Sequence, residues 1–221
     1  MWIPSWDDLA LACPATQVIR WTGCATGEAV DVLVEVSAPP PRLLIFGALD
    51  FAAALSEVGA FLGYRVTVCD PRPVFATPER FPAAEVVVDW PHRYLDRTET
   101  DERTAVCVLT HDPKFDIPVL TRALRMPLAY VGAMGARRTH AERVELLTEA
   151  GVTAQELGQL RSPLGLDLGA RTSAETALSI AAEMVAVRGG AAGARWASCR
   201  VRFTVARAPD HRPAGSCCIR D

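Results

Sequence analysis

The stretch RLLIFGALDFAAAL, residues 42–55, reads as a buried strand that turns at a glycine into a helix. Its apolar run, Leu43 to Phe46, lacks the alternation of a half-exposed strand, and Gly47 breaks it just before an alanine-rich segment. A strand covered on both faces belongs to a parallel sheet with helices above and below it. Such a turn is the usual entrance to a phosphate-binding fold, where a Gly-x-Gly-x-x-Gly/Ala fingerprint leaves the backbone amides open. Here Leu49 stands in place of the second glycine, and Asp50 puts a carboxylate where a phosphate would approach. The loop is therefore either a plain connection or a contact with a ligand that tolerates that side chain.

Working outward, YRVTVCD (64–70), EVVVD (85–89), TAVCVLT (104–110) and PLAYVG (127–132) are four more short runs rich in β-branched residues. Helical stretches separate them. The first, near 50–62, stops at Gly63; a second opens with Asp112 as N-cap and Pro113 at the first helical position. ARRTHAERVELLTEAG (136–151) carries one apolar stripe and ends at Gly151. TSAETALSIAAEMVAV (172–187) starts with a Thr172-x-x-Glu175 capping box and is apolar almost all round, so it is expected to be buried. Strand and helix in alternation give a doubly wound α/β domain, residues 41–190, with a mostly parallel sheet and helices on both faces. Residues 1–40 read as a short irregular segment in which only VLVEV (32–36) alternates like a strand, before a stiff triple proline. A domain boundary is therefore expected near residue 40. The tail 191–221, with six arginines and two acids, shows no period and is expected to be disordered.

Of 221 residues half are apolar, enough for a real core, and the net charge of −3 creates no field for a nucleic acid or an anionic membrane. No apolar run approaches the ~20 residues of a membrane span, and the acids near the start do not suit a secretory leader. A cytoplasmic protein is expected. The seven cysteines show no Cys-x-x-Cys spacing, so no metal site is expected, and Cys69 and Cys107 read as packing thiols inside strands.

Ligands of a doubly wound sheet sit beyond the carboxyl ends of its strands, so the loops there carry the candidates. Gly47 and Ala48 follow the first strand. Asp70 follows the second, where an acid offers two acceptor oxygens to an adenosine ribose or simply opens a turn before Pro71. Thr110, His111 and Asp112 follow the fourth; His111 is the one candidate for acid-base chemistry, and Asp112 reads first as a helix cap. Gly132, Gly135, Arg137 and Arg138 follow the fifth, where free amides, a helix N-terminus and guanidinium forks suit a phosphate or carboxylate. A further glycine loop holds Gly165, Asp167 and Gly169, with Asp167 and Arg171 placed for an ion pair or for ligand approach.

Together, DPRPVFATPERFP, LTHDPKFDIPVL, YVGAMGARRTH and SPLGLDLGARTSAETALSIAAEMVAVR resemble, in order and spacing, the xanthine dehydrogenase accessory proteins of the XdhC/CoxI family, in their C-terminal Rossmann-like domain. The resemblance runs over about residues 33–190. It implies a non-catalytic accessory factor that binds the molybdenum cofactor, assists its sulfuration with a cysteine desulfurase, and inserts it into the apoenzyme of a molybdenum hydroxylase of the xanthine or carbon monoxide dehydrogenase type. It also implies a homodimer. In that family Gly47, Ala48, Asp70, Thr110, His111, Asp112, Gly132, Gly135, Arg137, Arg138, Gly165 and Asp167 match the loops assigned to the cofactor. The competing readings are an oxidoreductase using NAD(P), favoured by Asp70 and opposed by Leu49, and a partner-binding α/β domain without a ligand.

Overall fold

The computed structural model describes residues 16–22, 29–35 and 38–194. Near the start, β1 (Thr16–Thr22) and β2 (Ala29–Glu35) pair antiparallel, Thr16 opposite Glu35 and Thr22 opposite Ala29. The expected short strand at VLVEV is thus most of β2, but it has a partner that the irregular reading of this segment did not include. The expected disordered tail lies, from residue 195 on, outside the described residues.

From residue 42 the chain runs β3 (Arg42–Phe46), α1 (Asp50–Phe61), β4 (Arg65–Cys69), β5 (Glu85–Val87) and α2 (Pro91–Arg97). It continues through β6 (Ala105–Val108), α3 (Pro113–Ala123), β7 (Tyr130–Ala133), α4 (Arg137–Glu149), α5 (Ala154–Leu157), β8 (Leu160–Arg161) and α6 (Ser173–Arg188). These six strands form one sheet in the order β5-β4-β3-β6-β7-β8, every pair parallel. The chain works outward from β3 through β4 to one edge, then returns beside β3 as β6 and works outward to the other. Strand order therefore reverses between β3 and β6, where a doubly wound sheet opens its ligand crevice.

The period of two in the strands sorts side chains onto two faces. Leu43 and Ile45, with Val66, Val68 and Cys107, meet Ala52 and Leu55 of α1 and Ile180 and Met184 of α6. Leu44 and Phe46, with Val106 and Val108, meet Leu95 of α2, Val119 and Leu120 of α3, and Leu147 of α4. Both faces being covered is the reason that the runs read from the sequence are continuous. Burying the four apolar side chains of β3 contributes roughly 1.5–3 kcal/mol each before conformational entropy is subtracted.

Two readings need correction. β8, two residues long, was not expected, because a pair such as Leu160–Arg161 carries no periodic signal; its place beside Val131 and Gly132 is set by tertiary pairing. And α6 is not buried all round. Ala177, Ile180 and Met184 face the sheet, while Leu178 is 57 % exposed and Val185 40 %. The helix lies beside α1, whose Phe61 is 88 % exposed, and one side of both borders an open apolar groove of about 570 Å³. Apolar residues on all sides of a helix report burial only where a second layer exists to cover the far side.

Candidate functional site

At the switch point β3 hands the chain to α1 on one face and β6 hands it to α3 on the other, and the two exit loops touch. Gly47 makes that possible. Its φ is +107°, and a Cβ there would lie 2.6 Å from Thr110 Cγ2 and 3.1 Å from the Thr110 amide nitrogen. Only glycine lets the β3 loop rest against the β6 loop at that distance. Gly47 N–H donates to Cys69 O at 2.9 Å, and Ala48 N–H to Asp70 Oδ2 at 2.9 Å.

Asp70 is fully buried at the end of β4, and its oxygens are all engaged. Besides the Ala48 amide they accept from Arg72 N (2.9 Å), Arg72 Nε (2.9 Å) and Arg72 Nη2 (2.8 Å). Burial alone would raise the carboxyl pKa, but the bonds from Arg72, from the Ala48 amide and from the Arg72 amide outweigh it and hold it below the usual aspartate value. Of the two readings of Asp70, ribose acceptor or turn opener, the first meets oxygens that a neighbouring arginine already occupies. Arg72 in turn stacks over Phe75 with 4.5 Å from its guanidinium carbon to the ring centroid. The rest of this segment closes over the loop, since Arg80 donates through Nη1 to Ala48 O (2.9 Å) and Phe75 O (3.0 Å), and through Nη2 to Asp50 (3.1 Å). Asp50 therefore turns toward Arg80.

Beyond β6, Asp112 is the N-cap of α3, accepting from the Lys114 amide at 3.1 Å and pairing with Lys114 Nζ at 3.0 Å. His111 is exposed. A cleft of about 270 Å³ gathers Leu49, Arg72, Thr110, His111, Asp112 and Phe115. Phe115 forms an apolar wall backed by Trp90, 5.2 Å away between ring centroids, and Lys114 Nζ lies 4.6 Å from the Phe115 ring centre. The first and fourth strand loops, read separately in the sequence, thus share one cleft, and Arg72, absent from the sequence candidates, joins them.

Under the cleft lies a network that the sequence reading missed. Thr110 Oγ1 donates to Asp116 Oδ1; Arg143 Nη2 donates to Asp116 Oδ2 (3.0 Å) and Met134 O (2.8 Å), and Arg143 Nη1 to Ser162 Oγ (3.1 Å). Asp116 and Arg143 are each 3 % exposed. Burial pushes the Asp116 carboxyl above its usual range, although Thr110 and Arg143 pull the other way. In so arginine-rich a chain nothing local distinguishes Arg143, which sits among charged residues on an exposed-looking helix.

In the second glycine loop the glycines pack against side chains of the chain itself. Gly132 is where the Tyr130 ring lies, since a Cβ would be 2.6 Å from Tyr130 Cε1. Tyr130 Oη donates to Glu183 Oε2 at 2.6 Å, and the same oxygen takes the Gly165 amide at 2.7 Å. Burial first, then the charges around it, push the Tyr130 phenol far above its ordinary value. Gly135 packs against Thr139 and Arg143. Arg138 is 90 % exposed and its Nε reaches one turn along α4 to Glu142 at 3.0 Å, so it does not join the loop amides; of Arg137 the described residues include only the backbone. Asp167 and Arg171 are exposed and make no ion pair with one another among the described residues. Cys69 and Cys107 are buried free thiols, Cys69 pushed up to about 12, chiefly by burial. Among the described residues no cluster of three metal-ligating side chains occurs, and no helix is long and apolar enough to cross a membrane.

The family model described as the XdhC Rossmann domain matches residues 43–184. Among curated proteins the chain is similar to the molybdenum cofactor insertion chaperone PaoD of Escherichia coli, 33 % identical over 150 residues, covering 68 % of this chain and 41 % of PaoD. It is also similar to a probable xanthine dehydrogenase subunit of Bacillus subtilis, 28 % identical over 162 residues, covering 73 % and 47 %. The uncharacterized protein YqeB of Escherichia coli is 29 % identical over 171 residues, covering 77 % and 32 %. The chain thus spans between a third and a half of the length of these relatives. Among solved structures, one described as a xanthine dehydrogenase from Bacillus halodurans superposes with a TM-score of 0.61 at 28 % identity, covering 74 % of this chain and 46 % of that one.

Proposed function

Since the chain belongs to the XdhC family through its Rossmann domain, we propose that it is an accessory factor that binds the molybdenum cofactor and hands it to a molybdenum hydroxylase. The observation that carries this reading is the switch-point cleft, which joins a guanidinium, an imidazole, the Lys114-paired carboxylate of Asp112 and an aromatic wall in one place. The cofactor combines a phosphate with a flat pterin, and the residues present fit both. Arg72 and His111 suit the anionic end, and Leu49 and Phe115 offer apolar surface to a ring. When bound, the group carries the redox chemistry of the recipient enzyme; the task of this chain is to hold it and let it go.

Arg72 is suited to holding because Asp70 and Phe75 already fix its guanidinium, so little side-chain entropy is lost on binding. His111 contributes a hydrogen bond at the mouth without any covalent step. The likeness to an insertion chaperone supports the same reading. Gly135, Arg137 and the uncapped amides at the head of α4 are the second place for an anionic group. A hydroxylase apoenzyme as recipient and a cysteine desulfurase as sulfur source complete the proposal. The test is the pterin content of protein purified from cells that make the cofactor, read as fluorescence after oxidation and denaturation. Retention that falls in Arg72→Ala and His111→Ala supports the cleft; folded protein that never retains pterin overturns the function. Unchanged retention in Arg137→Ala removes the head of α4 from the site.

A further inference from the structure

We propose that the switch-point cleft selects a phosphate monoester on a flat heterocycle and excludes dinucleotides, and that Asp70 is the residue that enforces the choice. The proposal rests on the ligand-binding reading above and concerns which form of ligand the cleft takes.

A dinucleotide in this fold makes two demands. Its pyrophosphate needs the backbone amides after the first strand of the domain, and its ribose diol needs the oxygens of the acid after the second. The acid is fully engaged, and of the loop amides Gly47 N and Ala48 N are spent. The Ala48 amide donates to Asp70 Oδ2 at 2.9 Å, so a pyrophosphate arriving at the loop finds that donor spent. A carboxylate has about four acceptor sites. Asp70 accepts from Ala48 N and from N, Nε and Nη2 of Arg72, which fills them. The Leu49 side chain lines the cleft where the fingerprint has glycine, and the cleft's volume of about 270 Å³ is small for a ligand with two nucleotides.

What remains open is compact. Two of the three guanidinium nitrogens of Arg72 bond to Asp70, and among the described residues Nη1 makes no hydrogen bond. The Arg72 side chain is 40 % exposed and borders the cleft. It presents one fixed N–H edge to an anion in a cleft that His111, Phe115 and the Lys114-paired carboxylate of Asp112 also line, which suits one phosphate group and one flat ring. The Asp70 carboxylate therefore does two things: it withdraws the donor and acceptors that a dinucleotide uses, and it aims the cation that a monoester uses.

The experiment is calorimetric titration of the purified full chain with dihydroneopterin monophosphate, with CMP and with NADH. The pterin monoester is expected to bind at least about tenfold more tightly than NADH, and Arg72→Ala to weaken it by about tenfold to a hundredfold, the scale of one charge-assisted hydrogen bond. Arg72→Lys, which keeps the charge and spares the fold but not the fixed fork, should weaken it less. Asp70→Asn should narrow the margin over NADH. NADH binding as tightly as the monoester overturns the selection while leaving a ligand cleft in place. A chain that retains pterin from cells yet binds none of the three probes overturns the assignment of this cleft and leaves the chaperone reading standing; a folded chain that does neither overturns both. CMP binding as tightly as the pterin monoester overturns selection for the pterin ring.

Discussion

At the end of β3, Gly47 brings one loop backbone against another, whereas in β7 Gly132 makes room for a side chain of its own strand, Tyr130. The difference extends to the charges nearby. In the first half of the sheet Asp70, Arg72 and Arg80 tie the loop down from above and leave a guanidinium edge facing the cleft. In the second half Asp116, Arg143 and Glu183 are spent on struts, joining α3, α4 and α6 to the strand ends beneath them. Two glycine loops that look alike in the sequence thus have different work. One shapes a cleft, and the other packs the scaffold that the cleft stands on.

The largest effect that tests this division should come from the struts. Arg143→Met leaves Asp116 buried without its cation, which costs about 3–5 kcal/mol, read as a shift in the urea midpoint. The deficit should shrink as the pH is lowered, because a protonated Asp116 needs no counter-charge. Converting Asp116 to Leu in the same chain should recover part of the loss. A cost below about 1 kcal/mol for Arg143→Met would show that the second half is not held by this pair.

Gly47→Ala comes next. The positive φ costs a non-glycine residue about 1–2 kcal/mol, and the overlap with Thr110 and the backbone of Leu109 adds about 1–3 kcal/mol. Because the strain falls on the β6 loop, loss of pterin retention should exceed what the lost stability explains. Gly132→Ala provides the contrast, as its overlap is with the Tyr130 ring and no cleft residue is displaced. If both variants retained pterin equally, the two loops would not differ in function.

How much of this was legible beforehand follows the range of the interactions. The five strand runs, the Asp112 cap and the Thr172–Glu175 capping box all rest on residues within a few positions of one another, and each was readable. The cleft was half readable: topology places Gly47 and Thr110 at the switch point, and local sequence named both. What no local pattern carries is that Asp70 is answered by Arg72 and the loop amide rather than by a ligand, or that Arg143 crosses to Asp116, 27 residues away. Partners of buried charges are chosen by the fold. Glycines were the least legible of all, because the same residue type serves a close approach at Gly47, room for a phenol at Gly132, and contact with Ser179 at Gly165.

Asp70→Asn is the third test, worth about 1.5–3 kcal/mol for charge-assisted bonds weakened in a buried place. Its pH dependence separates charge from shape. The folded carboxyl is held below its unfolded value, so its contribution is fully present above roughly pH 4, the unfolded range, and is lost as the pH falls through the lower folded value. Wild type and Asp70→Asn should therefore differ at neutral pH and converge in acid. Curves that stay parallel below pH 4 would mean that the charge on Asp70 contributes nothing to the latch.

The smallest effect belongs to Arg138→Ala. An exposed pair one helical turn apart contributes about 0.3–0.5 kcal/mol, and Arg138, 90 % exposed and reaching Glu142, fits that description. Stability should change by less than about 0.5 kcal/mol, the change should vanish in high salt, and pterin retention should stay at the wild-type level. The result bears on the comparison because the sequence grouped Arg137 and Arg138 as one anion fork. If Arg138→Ala lowered retention as far as Arg72→Ala, the second half would carry the ligand after all. Arg138 would then have to leave Glu142 to reach it, a change visible as loss of the salt-sensitive stability increment when pterin is bound.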